Sequence, residues 1–415
     1  MLTIRGKLIN HDSERYGEVS IDTDTGLIAK VGELSGTTPD IDAGENLVFP
    51  GFGDIHVHAR EDASGTHTYK EDFRTASEAA VKGGVTFFAE MPNNPTPPID
   101  DASYAEKEKL AAKSLVPVVL YGLINPGVKP LSRRVPYKFV IGKSFSHLIF
   151  NSFEEMEKTL SGYRGQSVSF HAEDMAILEN SKNAPTHETR RPPKSEDKGV
   201  ATAIDLIRKN GLEGKICHVS TREAMMQIRE AKKDGVAISG EVTPHHLYFD
   251  ESAFTDENHI WFQVNPPIRT REDRMAMIEA LRNGDIDYLA TDHAPHSIEE
   301  KQRGISGIPN LDTYGAFTTW LMAKCDFTPM DIARVCAYNP GLFVNQFLPA
   351  RFGKGFGRIE AGYAGSLTII DPNAPRTVRR EDLKTKCGWS PFEGVEFPGR
   401  VMYTIIQGKI TKISN

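Results

Sequence analysis

Apolar positions along this chain come in two textures. Near both ends they form short runs broken by Gly, Asp and Thr: residues 2–9, 16–21, 27–31 and 46–49, then 366–370, 401–407 and 409–413. Runs of this kind predict strands, with Gly408 as the turn between the last two. Neither end is long enough to bury a core of its own. Residues 1–50 and 351–415 are therefore expected to combine as one small β-sandwich domain built from both termini. Between them, over 51–350, strand-type runs alternate with helical spacing. The strand-type runs cover 55–58, 85–91, 117–124, 137–141, 168–171, 215–219, 237–242 and 288–291. Val200, Ala203, Ile204 and Ile207 recur at helix spacing, as do Ala224, Met225 and Ile228, and Gly83-Gly84 is a helix stop ahead of the second run. Pro126, Pro130 and Pro136 break any helix after the third run. Eight such alternations predict an α/β fold of the (β/α)8 TIM-barrel type.

In such a barrel, chemistry sits at the C-terminal ends of the strands. Polar residues of the metal-ligand type fall at those ends: His56 and His58, Asn93, Lys138, His171, His218 and Asp292. In a strand, His56 and His58 at i and i+2 share a face, which leaves Ile55 and Val57 to pack on the other. Imidazole is a preferred ligand of zinc and similar ions. One His-x-His pair is a weak signal; its strength here lies in the repetition at His171 and His218. Taken singly, each of those could be a core histidine bonded to a carbonyl. Asp292 follows Leu289, Ala290 and Thr291, and a buried carboxylate there needs a cation or strong donors. The bland alternative is a helix N-cap; the functional one is a metal ligand that also moves protons. Lys138 lies within a strand, either outward with its amine in solvent or inward at the site. If inward, its amine can react with CO2 to give a carbamate able to bridge two metals, with Lys143 a nearby competitor. Arg60, Asn93 and His296 could together hold a carboxylate, or be a surface arginine, a turn asparagine and a loop histidine. The Thr243-Pro-His-His segment is turn-like, and its histidines are supporting or structural.

Composition narrows the class. A net charge of −7 gives no reason to expect nucleic-acid binding. Arg133-Arg134 and Arg190-Arg191 read as solvated loops. No run of apolar residues is long enough for a transmembrane helix, and the opening MLTIRGKLIN has no signal-peptide core. Cys217, Cys325, Cys336 and Cys387 are widely spaced, which fits buried free thiols in a reducing cytoplasm.

The motifs as a set resemble the dihydroorotases of the amidohydrolase superfamily. The resemblance rests on Gly53-Asp-Ile-His-Val-His-Ala-Arg-Glu61, Gly65-Thr-His-Thr-Tyr-Lys-Glu-Asp-Phe73 and Gly83-Gly-Val-Thr-Phe-Phe-Ala-Glu-Met-Pro-Asn93. It continues through His171-Ala-Glu173, Cys217-His-Val-Ser220, Glu241-Val-Thr-Pro-His-His-Leu247, Asn265-Pro-Pro-Ile-Arg269, Ala290-Thr-Asp-His-Ala-Pro-His296 and Ser390-Pro-Phe-Glu393. It implies that His56, His58 and Asp292 hold one zinc ion and His171 and His218 a second, with Lys138, carboxylated on its amine, as the bridge. It implies Asp292 as the catalytic proton carrier and Arg60, Asn93 and His296 as holders of a substrate carboxylate. Gly142-Lys-Ser-Phe145 resembles a mobile substrate loop, making Ser144 and Phe145 candidate substrate contacts. The expected partner is a small-molecule substrate, with no nucleic acid and no membrane, and a homodimer is left open. Allantoinases and hydantoinases share the ligands but lack the arginine after His-x-His, and a cyclic amidase for hydantoins or dihydropyrimidines is the alternative. A catalytically silent scaffold relative would have lost ligands, and none is lost here. Two departures stand out: Glu61-Asp62-Ala63-Ser64 replaces the usual Glu-Pro-Gly, and the residues after Asn93 differ from the commoner form.

Overall fold

The computed structural model describes residues 1–414 except 34, 35, 37, 142–149, 151 and 256. The chain opens with β1 (Leu2–Ile9), β2 (Glu14–Asp22), β3 (Leu27–Gly32) and β4 (Ile41–Pro50). The barrel strands follow: β5 (Phe52–Val57), β6 (Val85–Glu90), β7 (Val118–Leu120) continued by β8 (Gly122–Leu123), β9 (Tyr137–Ile141), β10 (Ser167–Ala172), β11 (Glu213–Ile216), β12 (Ile238–Val242) and β13 (Tyr288–Leu289). After these come β14 (Leu367–Asp371), the short pair β15 (Arg376–Thr377) and β16 (Glu396–Phe397), β17 (Arg400–Ile406) and β18 (Lys409–Lys412).

The barrel strands pair in parallel with their sequence neighbours. Closure joins β13 to β5: the His58 N–H donates to the His293 carbonyl at 2.9 Å. The buried Asp54 carboxylate reinforces it by accepting the Thr291 hydroxyl at 2.5 Å and the Thr291 N–H at 3.2 Å. Helices Phe73–Lys82, Asp101–Ala111, Phe153–Leu160, Pro193–Asn210, Arg222–Lys233 and Arg271–Asn283 lie between successive strands. As the prolines predicted, the link from β8 to β9 carries no helix among the described residues. Val200, Ala203, Ile204 and Ile207 are buried on one face of their helix, and Ala224, Met225 and Ile228 on theirs. A large apolar layer fills the space between strands and helices. A second apolar cluster, including Ile55, Phe87, Tyr121, Phe343 and Phe356, packs separately from it.

The two ends of the chain meet in one seven-stranded sheet of order β18-β17-β14-β4-β1-β2-β3, with its own apolar cluster. It docks on the barrel through buried hydroxyls: Thr368 donates to the Gly84 carbonyl and Thr404 to the Val81 carbonyl, both at 2.6 Å. Gly84 has φ +81, and an added Cβ would lie 2.6 Å from Thr368 Cγ2. That position admits only glycine for both reasons.

One local expectation fails. A β-bulge between Asp54 and Val57 breaks the strict alternation of β5. Val57 joins the outer layer, but Ile55 belongs to the separate cluster with Tyr121. The extra residue is held by the His56 N–H, which donates to Asp54 Oδ1 at 3.0 Å.

Candidate active site

A cavity of about 830 Å³ opens at the C-terminal mouth of the barrel. This is within the usual size range for small-ligand sites. His56, His58, Lys138, His171, His218 and Asp292 line it, together with Arg60, Asn93 and His296. Ser144 and Phe145 lie outside the described residues.

Despite the bulge, both histidines of β5 reach one point. His56 Nε2 and His58 Nε2 lie 3.1 and 3.0 Å from the same oxygen, Asp292 Oδ1. His171 Nδ1 faces His218 Nε2 at 3.1 Å. Lys138 points inward, 1 % exposed, with Nζ 2.9 Å from Cys217 Sγ. Three residues at the strand ends hold left-handed backbone without being glycine: Arg60 (φ +59), His218 (φ +39) and Asp292 (φ +44). Such conformations are disfavoured for residues with a Cβ and gather where geometry serves a site.

The electrostatics favour a cation at the first group. Burial opposes charge on His56, but the Glu241 and Asp292 carboxylates on its two sides raise its pKa well above the ordinary value. Burial would raise Asp292, yet His56 and His58 hold it well below the usual carboxylate range. Burial lowers His58 to about 3 and also lowers His171 and His218, so these rings are neutral, each with a free lone pair, at neutral pH. The donor atoms of His56, His58 and Asp292 all lie within 4.8 Å of one another. Two imidazoles and a carboxylate, converging and buried, fit a divalent ion of the zinc type, which would take the place of the proton that Glu241 and Asp292 draw onto His56. His56, Cys217 and Glu241 converge similarly. There, however, Lys215 pairs with Glu241 and the Lys138 amine contacts the thiol, so both groups already have partners.

Arg60 stands beside this group. Its Nη2 faces His296 Nε2 at 3.3 Å and its Nε donates to the Pro295 carbonyl at 3.3 Å. The residue is 7 % exposed and, among the described residues, makes no ion pair. Burial accordingly lowers its pKa. Asn93 Oδ1 and Asn265 Oδ1, on the same cavity, are buried without a hydrogen-bond partner among the described residues. Burial lowers His296 to about 2, with Arg60 and Lys70 adding to the effect, so its ring is neutral.

A sequence profile of the Amidohydrolase family matches residues 47–125 and 151–411. The chain belongs to the amidohydrolase family. Within it, the chain is 30% identical to a dihydroorotase of Pyrococcus furiosus over 99% of its own length and 92% of that protein's. Identity to the dihydroorotase of Pyrococcus abyssi is 32%, over 88% of this chain and 83% of that one. For the dihydroorotase of Lactobacillus acidophilus it is 30%, over 89% of each. Among solved structures, the L-hydantoinase of Arthrobacter aurescens superposes with a TM-score of 0.87 at 23% identity, covering 99% of this chain and 96% of that one. A dihydropyrimidinase from Brevibacillus agri gives 0.85 at 22%, covering 99% and 94%. These structures share the barrel fold. The family is typically metal-dependent, and this member carries a donor group able to hold a divalent ion.

Several residues of this amidohydrolase site were not singled out from the sequence. Glu241, on β12, takes His56 Nδ1–H and pairs with Lys215 of β11. Glu173 accepts from His171 Nε2 at 2.9 Å and from Arg191, whose Nε lies at 3.1 Å. Arg191 is therefore no solvated loop residue; its side chain is 14% exposed and committed to Glu173. Lys70 lies on the cavity, 2.7 Å from Glu300, which in turn faces His296 Nδ1 at 3.2 Å. The motifs contained Lys70, Glu173 and Glu241, but nothing local distinguished them from surface charges. His245 and His246 sit on a one-turn helix, Pro244–Tyr248, rather than in an open turn. His246 bridges the Thr243 hydroxyl (2.8 Å) and the Pro266 carbonyl (3.1 Å), and His245 meets Asn310 at 3.1 Å.

Proposed function

We propose that this protein is a dihydroorotase, interconverting N-carbamoyl-L-aspartate and L-dihydroorotate. The observation that carries the reading is Arg60: a buried guanidinium at the edge of the histidine cluster with no ion-pair partner among the described residues. Buried charges are ordinarily paired. An anionic group on the substrate completes this one, and the full-length likeness to dihydroorotases supports a ring carboxylate as that anion. Asn93 and the neutral His296 lie on the same cavity and supply uncharged hydrogen bonds to it.

The protein acts as a hydrolase of a cyclic amide. When bound, zinc or a similar ion supplies Lewis acidity, lowering the pKa of water from about 15.7 to about 7 and polarising a carbonyl. His56, His58 and Asp292 would hold one such ion, His171 and His218 another, and Lys138 would bridge them as a carbamate. In support of that bridge, Lys138 is buried and inward, on the same cavity wall as His56, His171 and His218. Hydrolysis adds water across the ring amide: the carbonyl carbon gains oxygen, its bond to nitrogen breaks, and nitrogen needs a proton. Asp292 carries it, its Oδ1 facing the cavity beside both ring nitrogens. Arg60, Asn93 and His296 hold the carboxylate so that one ring carbonyl faces Asp292. Ring closure runs the same proton in reverse.

The free thiols fit a reducing cytoplasm. Among the described residues no helix is long and apolar enough to cross a membrane. The reading is tested by metal content of the purified protein together with kcat/KM on dihydroorotate and on dihydrouracil, which has the ring without the carboxylate. Turnover of dihydroorotate with bound metal is expected. Equal rates on both compounds would point to a dihydropyrimidine amidase, and absence of turnover with metal bound to a silent relative.

A further inference from the structure

Lys301, on the short helix Ile298–Gln302, is 0% exposed and makes no ion pair among the described residues. Buried cations are ordinarily paired with an anion. This one donates instead to three backbone carbonyls: Gln263 at 3.2 Å, Ile305 at 2.9 Å and Gly307 at 3.1 Å. Its Nζ also lies 5.5 Å from the centre of the Trp389 ring.

The main chain held in this way is a wall of the cavity. Asn265, Gly304, Ile305, Ser306 and Gly307 all line it. Gln263 precedes Asn265 by two residues, and its carbonyl also accepts the Gly307 N–H at 2.9 Å. Lys301 therefore ties the segment carrying Asn265 to residues 304–307. Gly307 in turn lies against His296: a Cβ added there would sit 2.7 Å from His296 Cδ2 and 3.0 Å from Nε2. Trp389 donates to the His296 carbonyl at 2.7 Å. A shift of this wall thus reaches the imidazole assigned to the substrate carboxylate.

The count of acceptors decides the form of the amine. An ammonium has three N–H donors, one for each carbonyl. A neutral amine has two and a lone pair, so one buried carbonyl would lose its donor. Burial, with no carboxylate to offset it, brings that form within reach by lowering the pKa to about 7. The charged groups around it do not compensate. Glu300, its neighbour in the chain, is turned to Lys70 and Tyr69, both at 2.7 Å. The exposed Arg303 donates to the Glu299 carbonyl at 3.3 Å. His296 and His245 feel the lysine's charge, and burial keeps both rings neutral.

We propose that Lys301 is a positioning residue: as an ammonium it clasps the Asn265 segment and residues 304–307 against His296, and loss of its proton weakens substrate binding while metal content stays constant. The inference rests on the dihydroorotase reading above for its substrate.

The test is the pH dependence of KM, read against kcat and metal content, in zinc-loaded wild type and Lys301→Met. For wild type, KM for dihydroorotate should rise about 10-fold between about pH 6 and about pH 8.5, the scale of one buried hydrogen bond left unmade. Methionine keeps the length of the side chain but has no donor. Lys301→Met should therefore show the raised KM across the whole range, with kcat changed less and zinc content unchanged. In wild type alone, amide hydrogen exchange over 303–308, corrected for the intrinsic effect of pH, should quicken over the same range while the helix Arg222–Lys233 stays protected. Should Lys301→Met not fold, the wild-type KM and exchange profiles decide. A flat wild-type KM with unchanged protection of 303–308 overturns the proposal. So does a Lys301→Met protein that melts lower but keeps the wild-type KM and its pH profile, which would make the lysine merely structural. Metal-loaded wild type that does not turn over dihydroorotate would refute the proposed function instead, and the exchange profile would still decide the clasp.

Discussion

Replacing Arg60 by methionine removes the charge on which the substrate assignment turns. Methionine keeps much of the side chain's length and apolar volume and deletes the guanidinium. The neighbours cannot replace it. His296 is neutral, its pKa lowered to about 2 by burial and by Arg60 and Lys70. Asn93 carries no charge, and Lys70 is spent on Glu300 at 2.7 Å. A substrate carboxylate entering this cavity would then be desolvated with only neutral donors. Removing one partner of a buried charged pair costs about 2–5 kcal/mol, part of it the penalty of stranding the other charge. At about 1.4 kcal/mol per decade, kcat/KM for dihydroorotate should fall by about 30- to about 4000-fold. The variant should not be less stable, because Arg60 is a buried cation whose hydrogen bonds among the described residues are to the Pro295 carbonyl and His296, both at 3.3 Å, with no ion pair. The assay is kcat/KM on dihydroorotate and dihydrouracil for both proteins, with metal content and melting temperature alongside. Dihydrouracil should be a poor substrate for the wild type and little affected by the change. A variant that keeps dihydroorotate turnover within about fivefold, or loses both substrates equally with metal intact, would refute the carboxylate role of Arg60.

Three further outcomes follow from the same geometry. His58→Ala deletes one of two imidazoles that meet Asp292 Oδ1 near 3 Å and should lose metal and activity together; elemental analysis showing full occupancy with normal turnover would count against the ligand set. Lys138→Ala should abolish the bridging carbamate and most activity, with partial recovery on adding short carboxylic acids, and an intact-mass measurement of the native protein lacking the CO2 increment would argue against carboxylation. His246 should make the fold acid-sensitive: burial lowers its pKa from 6.5 to about 4. Between those values the unfolded chain holds a proton the native ring refuses, so stability is full above about pH 6.5. It falls as pH drops towards 4, by about 1.4 kcal/mol per unit and roughly 3 kcal/mol in all. Denaturant melts of wild type and His246→Gln across that range should differ in slope, and parallel curves would exclude this histidine as the source.

The barrel was legible because its signal is local. Each of the eight apolar runs corresponds to a barrel strand, with the third split as β7 and β8, and the prolines after it do exclude a helix. Candidate ligands were legible for the same reason: they fall at the ends of those runs, and in a parallel barrel all such ends share one mouth. What alternation could not reveal was the bulge in β5, which depends on Asp54 bonding both the His56 N–H and Thr291, a residue 237 positions away. Nor could a strand lysine declare its face; Lys138 turns inward because the barrel interior holds Cys217 and the histidines there.

The partners behind the ligands were the least visible. Glu241 meets His56 across 185 residues of sequence, and Arg191 meets Glu173 across 18, although Arg190-Arg191 looks like a solvated pair in the chain. Residue type and periodicity along the chain were enough to determine that this is a barrel with histidines and an aspartate gathered at its mouth. Which charges are buried against which ligands was decided only by tertiary structure. A carboxylate's role depends on the cation and the ring nitrogen that share its low-dielectric surroundings, and those neighbours come from other strands.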